Sequence, residues 1–84
     1  MRKYKVEALS LIQDAGSIES NCNDITFTNF GTALLTIDDV IPLTTGQQRV
    51  ITGNADELNV SRHKYVWSGA GTRIGTVERK IYVA

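Results

Sequence analysis

The stretch ITFTNFGTALLTI, residues 25–37, decides the fold class of this chain. Residues 25–28 alternate apolar and polar side chains with a period of two, and they are of types that favour strands. Gly31 supplies the permissive backbone of a turn, and residues 33–37 have the composition of the next strand. Segments this closely spaced leave no room for crossover helices, so we expect them to pair antiparallel.

Similar strand-like segments continue towards the C-terminus, with turn residues between them. They cover residues 40–43, 47–52, 60–67 and 73–83. Asp38-Asp39 suits a tight connection before the first of them. Pro42 places that segment at a sheet edge or its end, because proline cannot donate a ladder hydrogen bond. The sequence therefore predicts a mainly β chain, with an antiparallel β-sandwich or small barrel over residues 25–83.

The N-terminal segment has a different pattern. Its apolar residues recur at the spacing of one helix face: Tyr4, Ala8, Leu11, Ile12 and Ala15. Alternation of Tyr4, Val6 and Ala8 would suit a strand instead, but good helix formers surround them and favour the helix. We therefore predict a short helix and a polar linker within residues 1–24, followed by a β domain over residues 25–84.

Size and composition limit how the chain is stabilised. It has 84 residues, nine basic and nine acidic, and a formal net charge of zero. A core this thin often needs a disulfide, a metal or association with other chains. Cys22 is the only cysteine and His63 the only histidine, which excludes an intrachain disulfide and leaves too few zinc ligands. Idealised packing or association remains, and we expect a homo-oligomer. Because Cys22 lies in a polar segment, we expect an exposed thiol.

The balanced charge also bears on partners. Proteins that bind phosphates usually carry a basic excess, so we expect no nucleic-acid binding. Residues 62–65 and 78–82 keep that alternative open, because they place basic and aromatic side chains on two late strands. No apolar run is long enough to span a bilayer, and polar residues interrupt the N-terminal segment where a signal peptide is apolar. We expect synthesis in the cytoplasm and no membrane partner.

No set of residues in the sequence suits catalysis. The glycines of residues 69–75 favour a hairpin over a phosphate-binding loop, because neither a lysine nor a helix follows them. Asp38-Asp39 and Asp56-Glu57 suit turns, and the second pair provides too few ligands for calcium. His63 has no nucleophile motif beside it. We therefore predict that the chain is not an enzyme and has no catalytic residue, no cofactor and no metal site.

Several turn and strand motifs carry a resemblance to a known class of proteins. They are TFTNFG at 26–31, IPLTTGQ at 41–47, GNADE at 53–57 and ERKIYV at 78–83. The chain resembles the small β-sandwich structural proteins of bacteriophages and prophages, which read approximately as TFTNxG, xPLxPGQ, a GNxxE loop and a closing RKxY. Thr45 stands where a proline is common, and Asp38-Asp39 where Asn-Gly is expected. The resemblance implies a virion component, such as a capsid decoration, a head fibre or an attachment module.

Two functional hypotheses follow. The leading one is a non-enzymatic virion structural protein that self-associates and docks on another capsid component. Its expected interface comprises Tyr4, Ala8, Leu11, Ile12, Ala15 and Trp67. Whether the N-terminal stripe is covered by the same chain or by another stays open. The alternative is a carbohydrate- or receptor-binding module, which would need Trp67, Tyr65 or Tyr82 exposed near Asp or Asn side chains.

Overall fold

The regular elements of the chain are β-strands throughout the part that the computed structural model describes, residues 3–11, 13–53 and 58–83. They are β1 Lys3–Leu11, β2 Ala15–Glu19, β3 Asp24–Asn29, β4 Leu34–Ile37, β5 Ile41–Leu43, β6 Gln48–Ile51, β7 Arg62–Ser68 and β8 Gly75–Val83. Within these ranges no helix is long and apolar enough to cross a membrane. The prediction of a mainly β chain is confirmed.

The strands form two four-stranded antiparallel sheets. Sheet A has the order β1-β8-β3-β6, and sheet B has the order β2-β7-β4-β5. The chain changes sheet at every connection except that between β4 and β5, which pair as a hairpin. β1 and β6 are the edges of sheet A, and β2 and β5 are the edges of sheet B. The prediction that Pro42 lies in an edge strand is therefore confirmed.

Period-two alternation gives each sheet one buried face. In β7 the buried side chains are His63, Tyr65 and Trp67, and the residues between them are exposed. One hydrophobic cluster collects buried side chains of both sheets, including Ile25, Phe27 and Val77 from sheet A and Leu35, Ile37, Leu43, Tyr65 and Trp67 from sheet B. The two sheets therefore share a single core.

The predicted N-terminal helix is wrong. Residues 3–11 form β1, which pairs with β8 along its whole length, from Lys3↔Val83 to Leu11↔Gly75. The segment predicted as a linker contains β2, which pairs with β7. Helix propensities differ by only a few tenths of a kcal/mol per residue, and a continuous ladder of hydrogen bonds to a neighbouring strand outweighs such differences. The period-two alternation of residues 4–8 was the correct signal.

The turn after β3 depends on Asn29, whose side chain is fully buried. Its Nδ2 donates to the carbonyl oxygens of Ala33 and Leu43, both at 2.8 Å, and its Oδ1 accepts from the backbone N–H of Gly31 at 2.8 Å. A Cβ at Gly31 would lie 2.3 Å from the carbonyl oxygen of Thr72. Gly31 does not have a positive φ, so close approach of another loop, rather than a special turn conformation, requires glycine there.

Candidate interaction surface

The structure does not bring the predicted N-terminal interface residues onto one stripe. Leu9 aligns across sheet A with the buried residues Val77 and Phe27. Tyr4 and Ala8 are on the opposite face of β1, which is the outer face of the sheet. Leu11 points the other way and is fully buried in the core. Ala15 lies in β2 of the other sheet, and Ile12 lies outside the described residues. The described residues that would share one face of a helix therefore lie on two strands, one in each sheet.

Trp67 belongs to the core of its own chain. Its side chain is only 4% exposed, and its Nε1 donates to the carbonyl oxygen of Leu11 at 3.1 Å. A Cβ at Gly75 would lie 2.8 Å from Cζ2 of the indole ring, so the ring fills the space beside β8. Tyr65 is buried as well. Neither ring presents a face on which a sugar or another chain could stack.

Tyr4, 56% exposed, and the partly exposed Tyr82 form an aromatic group on the outer face of sheet A, whereas Phe30, 59% exposed, follows β3 in a turn. The rings of Tyr4 and Tyr82, on directly paired positions of β1 and β8, meet edge to face with centroids 6.0 Å apart. Lys80 Nζ lies 4.4 Å from the centroid of the Tyr4 ring and 5.0 Å from that of Tyr82, within the range of cation–π attraction. We call this group the Tyr4–Tyr82 cluster. It joins aromatic surface to a positive charge at one end of the sheet.

A shallow groove runs from the Tyr4–Tyr82 cluster across sheet A. It has a volume of about 280 Å³, and its lining includes Tyr4, Val6, Asp24, Thr26, Val50 and Lys80. The hydrogen bond that the Lys80 ammonium group donates to the Tyr82 side chain raises the pKa of Lys80 above its usual value. Desolvation opposes this effect, and Tyr82, Tyr4 and Asp24 add smaller electrostatic contributions that raise the pKa. The ammonium group therefore stays charged at neutral pH. The groove combines apolar, hydroxyl and charged groups, as sites for polar ligands do.

Among the edge strands of the described fold, β1 is the longest. β1 has nine residues, and all but Leu11 lie at least partly exposed. Tyr4 and Val6 are each 56% exposed and Leu9 is 43% exposed. By contrast, β5 has three residues and contains Pro42. Every second residue of an edge strand turns its N–H and C=O groups away from the sheet, and a row of such groups is a template for another strand.

Charged side chains alternate with these apolar groups along β1. Glu7 lies 3.2 Å from the Arg79 guanidinium on β8 and 3.9 Å from Lys5 Nζ. Lys5 and Glu7 share one face of the strand, and Tyr4, Val6 and Ala8 share the other. Over residues 3–8 the edge thus carries a charged side and an apolar side, and Leu9 and Leu11 continue the charged side as apolar residues.

His63 has a partner that the sequence did not reveal. Its Nδ1 lies 2.9 Å from Oδ2 of Asp38, and Oδ1 of Asp38 accepts from the backbone N–H of Lys64 at 3.1 Å. The imidazole packs edge to face on Phe27, with centroids 5.7 Å apart, and its Nε2 is buried without a hydrogen-bond partner in the described structure. No sequence motif links two residues 25 positions apart. The pair fastens the β4–β5 hairpin to β7.

Two sequence expectations concern reactive or metal-binding groups. The expected exposure of Cys22 is wrong, because the thiol is fully buried between the sheets. Burial raises the pKa of Cys22, which makes the thiol less reactive. Within residues 3–11, 13–53 and 58–83, no three His, Cys, Asp or Glu side chains come together to hold a metal. Asp56 and Glu57 lie outside the described residues.

Comparisons of the chain with protein-family models, with curated proteins and with solved structures gave no match. What the chain does has therefore to be inferred from its own strand order, edges and faces.

Proposed function

We propose that this chain is a non-enzymatic structural subunit of a bacteriophage virion, a capsid decoration or head-fibre protein, folded as a jelly-roll β-sandwich. It would be located in the virion, self-associate and dock on another capsid component. The observation that carries the proposal is the order of the strands.

The strands pair in a nested series. β4 pairs with β5, β3 with β6, β2 with β7 and β1 with β8. This is a single long antiparallel hairpin, four strands up and four strands down. The additional pairings β3·β8 and β4·β7 wrap that hairpin into two sheets. An eight-stranded wrapped hairpin is the jelly-roll arrangement, which occurs in viral capsid proteins, lectins and cupins.

The motif positions support the same proposal. Thr26, Phe27 and Thr28 form the centre of β3, Asn29 holds the next turn through three buried hydrogen bonds, and Gly31 allows another loop to approach. The residues of the TFTNFG motif thus make the corner of the fold. A jelly roll does not by itself define a function, so the virion assignment combines this topology with the motif resemblance.

The most direct test is the composition of phage particles. Particles induced from a strain that encodes the chain are purified by density gradient, and their proteins are quantified by mass spectrometry. We expect peptides of this chain at a fixed ratio to the major capsid protein through repeated gradients and salt washes. A phage protein that acts only in the cell serves as the control. Absence of the chain from intact particles would overturn the proposal.

The Tyr4–Tyr82 cluster favours a second candidate function, carbohydrate binding. Tyr4, which is 56% exposed, lines the groove together with Asp24 and Thr26, and the Tyr82 ring packs against that of Tyr4. Aromatic platforms with polar rims suit sugars. The test is a glycan-array screen followed by titration of Tyr82→Ala, with Val66→Ala on the outer face of sheet B as the matched control. Glycan binding that Tyr82→Ala removes and Val66→Ala retains would favour this candidate.

A further inference from the structure

We infer that β1 pairs antiparallel with β1 of a second copy of this chain, with the two-fold axis at Val6, so that the two A sheets become one continuous sheet. This inference rests on the self-association in the proposed function. It specifies which edge strand associates, which strand of the second copy it pairs with, and in which register.

The edge is chosen by comparing the four edge strands. β5 is short and contains Pro42. β2 and β6 have five and four residues. β1 has nine residues, and its exposed residues include Tyr4 and Val6. Long edges with apolar side chains are those most prone to pair with another chain.

The register follows from the charges. In an antiparallel strand pair related by a two-fold axis, the residue numbers of any two residues that face each other add up to the same sum. That sum is even, because facing residues have their side chains on the same face of the sheet. A sum of 10 sets Lys5 against Lys5 of the partner subunit, and a sum of 14 sets Glu7 against Glu7 of the partner subunit. Like charges directly opposite are destabilising.

A sum of 12 removes both conflicts. It places Lys5 opposite Glu7 of the partner subunit and, by symmetry, Glu7 opposite Lys5 of the partner subunit. Opposite charges across a strand pair stabilise it. A sum of 16 avoids like charges too, but it sets Lys5 and Glu7 opposite apolar residues, Leu11 and Leu9. Charge complementarity therefore selects the register centred on Val6.

The other side of the strand agrees with this register. Val6 faces Val6 of the partner subunit on the axis, and Tyr4 faces Ala8 of the partner subunit on each side. A large ring then lies opposite a small side chain. Tyr4 and Val6, each 56% exposed in the single chain, would form an apolar stripe continuous between the two copies. Glu7 keeps its contact with Arg79, because a carboxylate accepts several hydrogen bonds.

The first test is a disulfide placed on the axis. In this register the Cα atoms of residue 6 in the two copies lie about 4.5–5.5 Å apart, within disulfide range, whereas those of residue 8 lie about 14 Å apart. We expect Val6→Cys to form a covalent dimer in a glutathione redox buffer at least about tenfold faster than Ala8→Cys, its control on the same face. Wild-type protein controls for the buried Cys22. Equal cross-linking of the two variants would overturn the register.

The second test uses charge on the same strand. Lys5→Glu and Glu7→Lys each place like charges opposite one another, and we expect each to raise the dimer dissociation constant about tenfold or more by sedimentation. Mixing the two variants restores opposite charges at both positions, so a mixed dimer should form. Lys3→Glu, whose side chain faces Leu9 of the partner subunit, is the matched control and should dimerise like the wild type.

The outcomes separate this inference from the proposed function. If the wild type is an oligomer whose mass neither Lys5→Glu nor Glu7→Lys changes, association uses another surface and the β1 inference fails alone. If the wild type sediments as a monomer at millimolar concentration and is also missing from particles, the proposed function fails with it. Far-UV circular dichroism of every variant confirms that loss of association is not loss of folding.

Discussion

The two sheets end very differently at β5 and at β1. β5 has three residues, of which Leu43 is buried, and its neighbour β4 buries Leu35 and Ile37. Pro42 limits pairing beyond β5. β1 is three times as long and buries only Leu11. Both are edge strands of four-stranded sheets, so position in the sheet does not explain the difference. The difference indicates that β5 is unsuited to pairing with a further strand, whereas β1 can pair with one. We call β5 the closed edge and β1 the open edge.

Polar contacts strengthen the closed edge further. Asn29 donates to Leu43 at the end of β5, and Asp38, in the turn between β4 and β5, contacts His63 and the backbone of β7. Beyond its ladder with β8, β1 accepts a hydrogen bond from Trp67 at the Leu11 carbonyl oxygen, and its described side-chain contacts, such as Glu7 with Arg79, are made by charged groups. Mutations on the closed side should therefore reduce stability, and mutations on the open side should chiefly affect association.

The largest effect is expected for Asn29→Ala. It leaves two carbonyl oxygens and one N–H without their partners at a buried corner, and each such loss costs about 1–3 kcal/mol. We expect the free energy of unfolding to fall by about 3 kcal/mol or more, measured by urea denaturation. Thr26→Ala, on the outer face of the same strand, is the control and should stay within about 1 kcal/mol of the wild type. Similar losses for both variants would contradict the role of Asn29.

Asp38→Ala should have the next largest effect. Asp38 and Asp39 both have a positive φ, 55° and 63°, so replacing either with alanine adds similar backbone strain. Of these two aspartates, only Asp38 hydrogen-bonds to His63. Removing the Asp38 carboxylate leaves Nδ1 of the buried imidazole without that partner. We expect Asp38→Ala to be about 1–3 kcal/mol less stable than Asp39→Ala by chemical denaturation. Equal stabilities would show that the Asp38–His63 contact contributes nothing to holding the hairpin.

Substitution by glycine should change the stability in opposite directions at the same two positions. Asp39→Gly relieves a left-handed conformation in an exposed residue, and we expect it to stabilise the chain by about 0.5–1 kcal/mol. Asp38→Gly relieves similar strain but loses the contact with His63, so we expect net destabilisation. Thermal melts of both variants measure the difference, and a stabilising Asp38→Gly would contradict it.

The smallest effect on stability is expected at the open edge. Val6→Ala removes an exposed side chain, and we expect the free energy of unfolding to change by less than about 0.5 kcal/mol at concentrations where the chain is monomeric. Leu35→Ala, in the closed hairpin, is the contrasting variant and should cost about 2–5 kcal/mol. A loss of several kcal/mol for Val6→Ala would mean that the β1 edge is part of the single-chain core.

Sequence patterns predicted the fold where one signal was present and failed where two competed. The alternation in residues 25–28, the turn at Asp38-Asp39 and the edge position of Pro42 depend on local chemistry, and the structure agrees with each of them. The N-terminal segment fits both a helix period and a strand period, and β8, more than sixty residues away, decides between them. The burial of Cys22 and the partner of His63 depend on how the sheets meet, which no local pattern encodes.

The nested pairing also sets the order in which the chain can fold. The β4–β5 hairpin closes a short loop and can form as soon as it is synthesised, whereas β1 pairs with β8, which is made more than sixty residues later. Contacts between distant segments carry a large loop-closure entropy and form slowly. During synthesis β1 therefore remains an unpaired strand with both of its edges free. Until β8 emerges from the ribosome, a neighbouring nascent copy can compete for the place that β8 later takes.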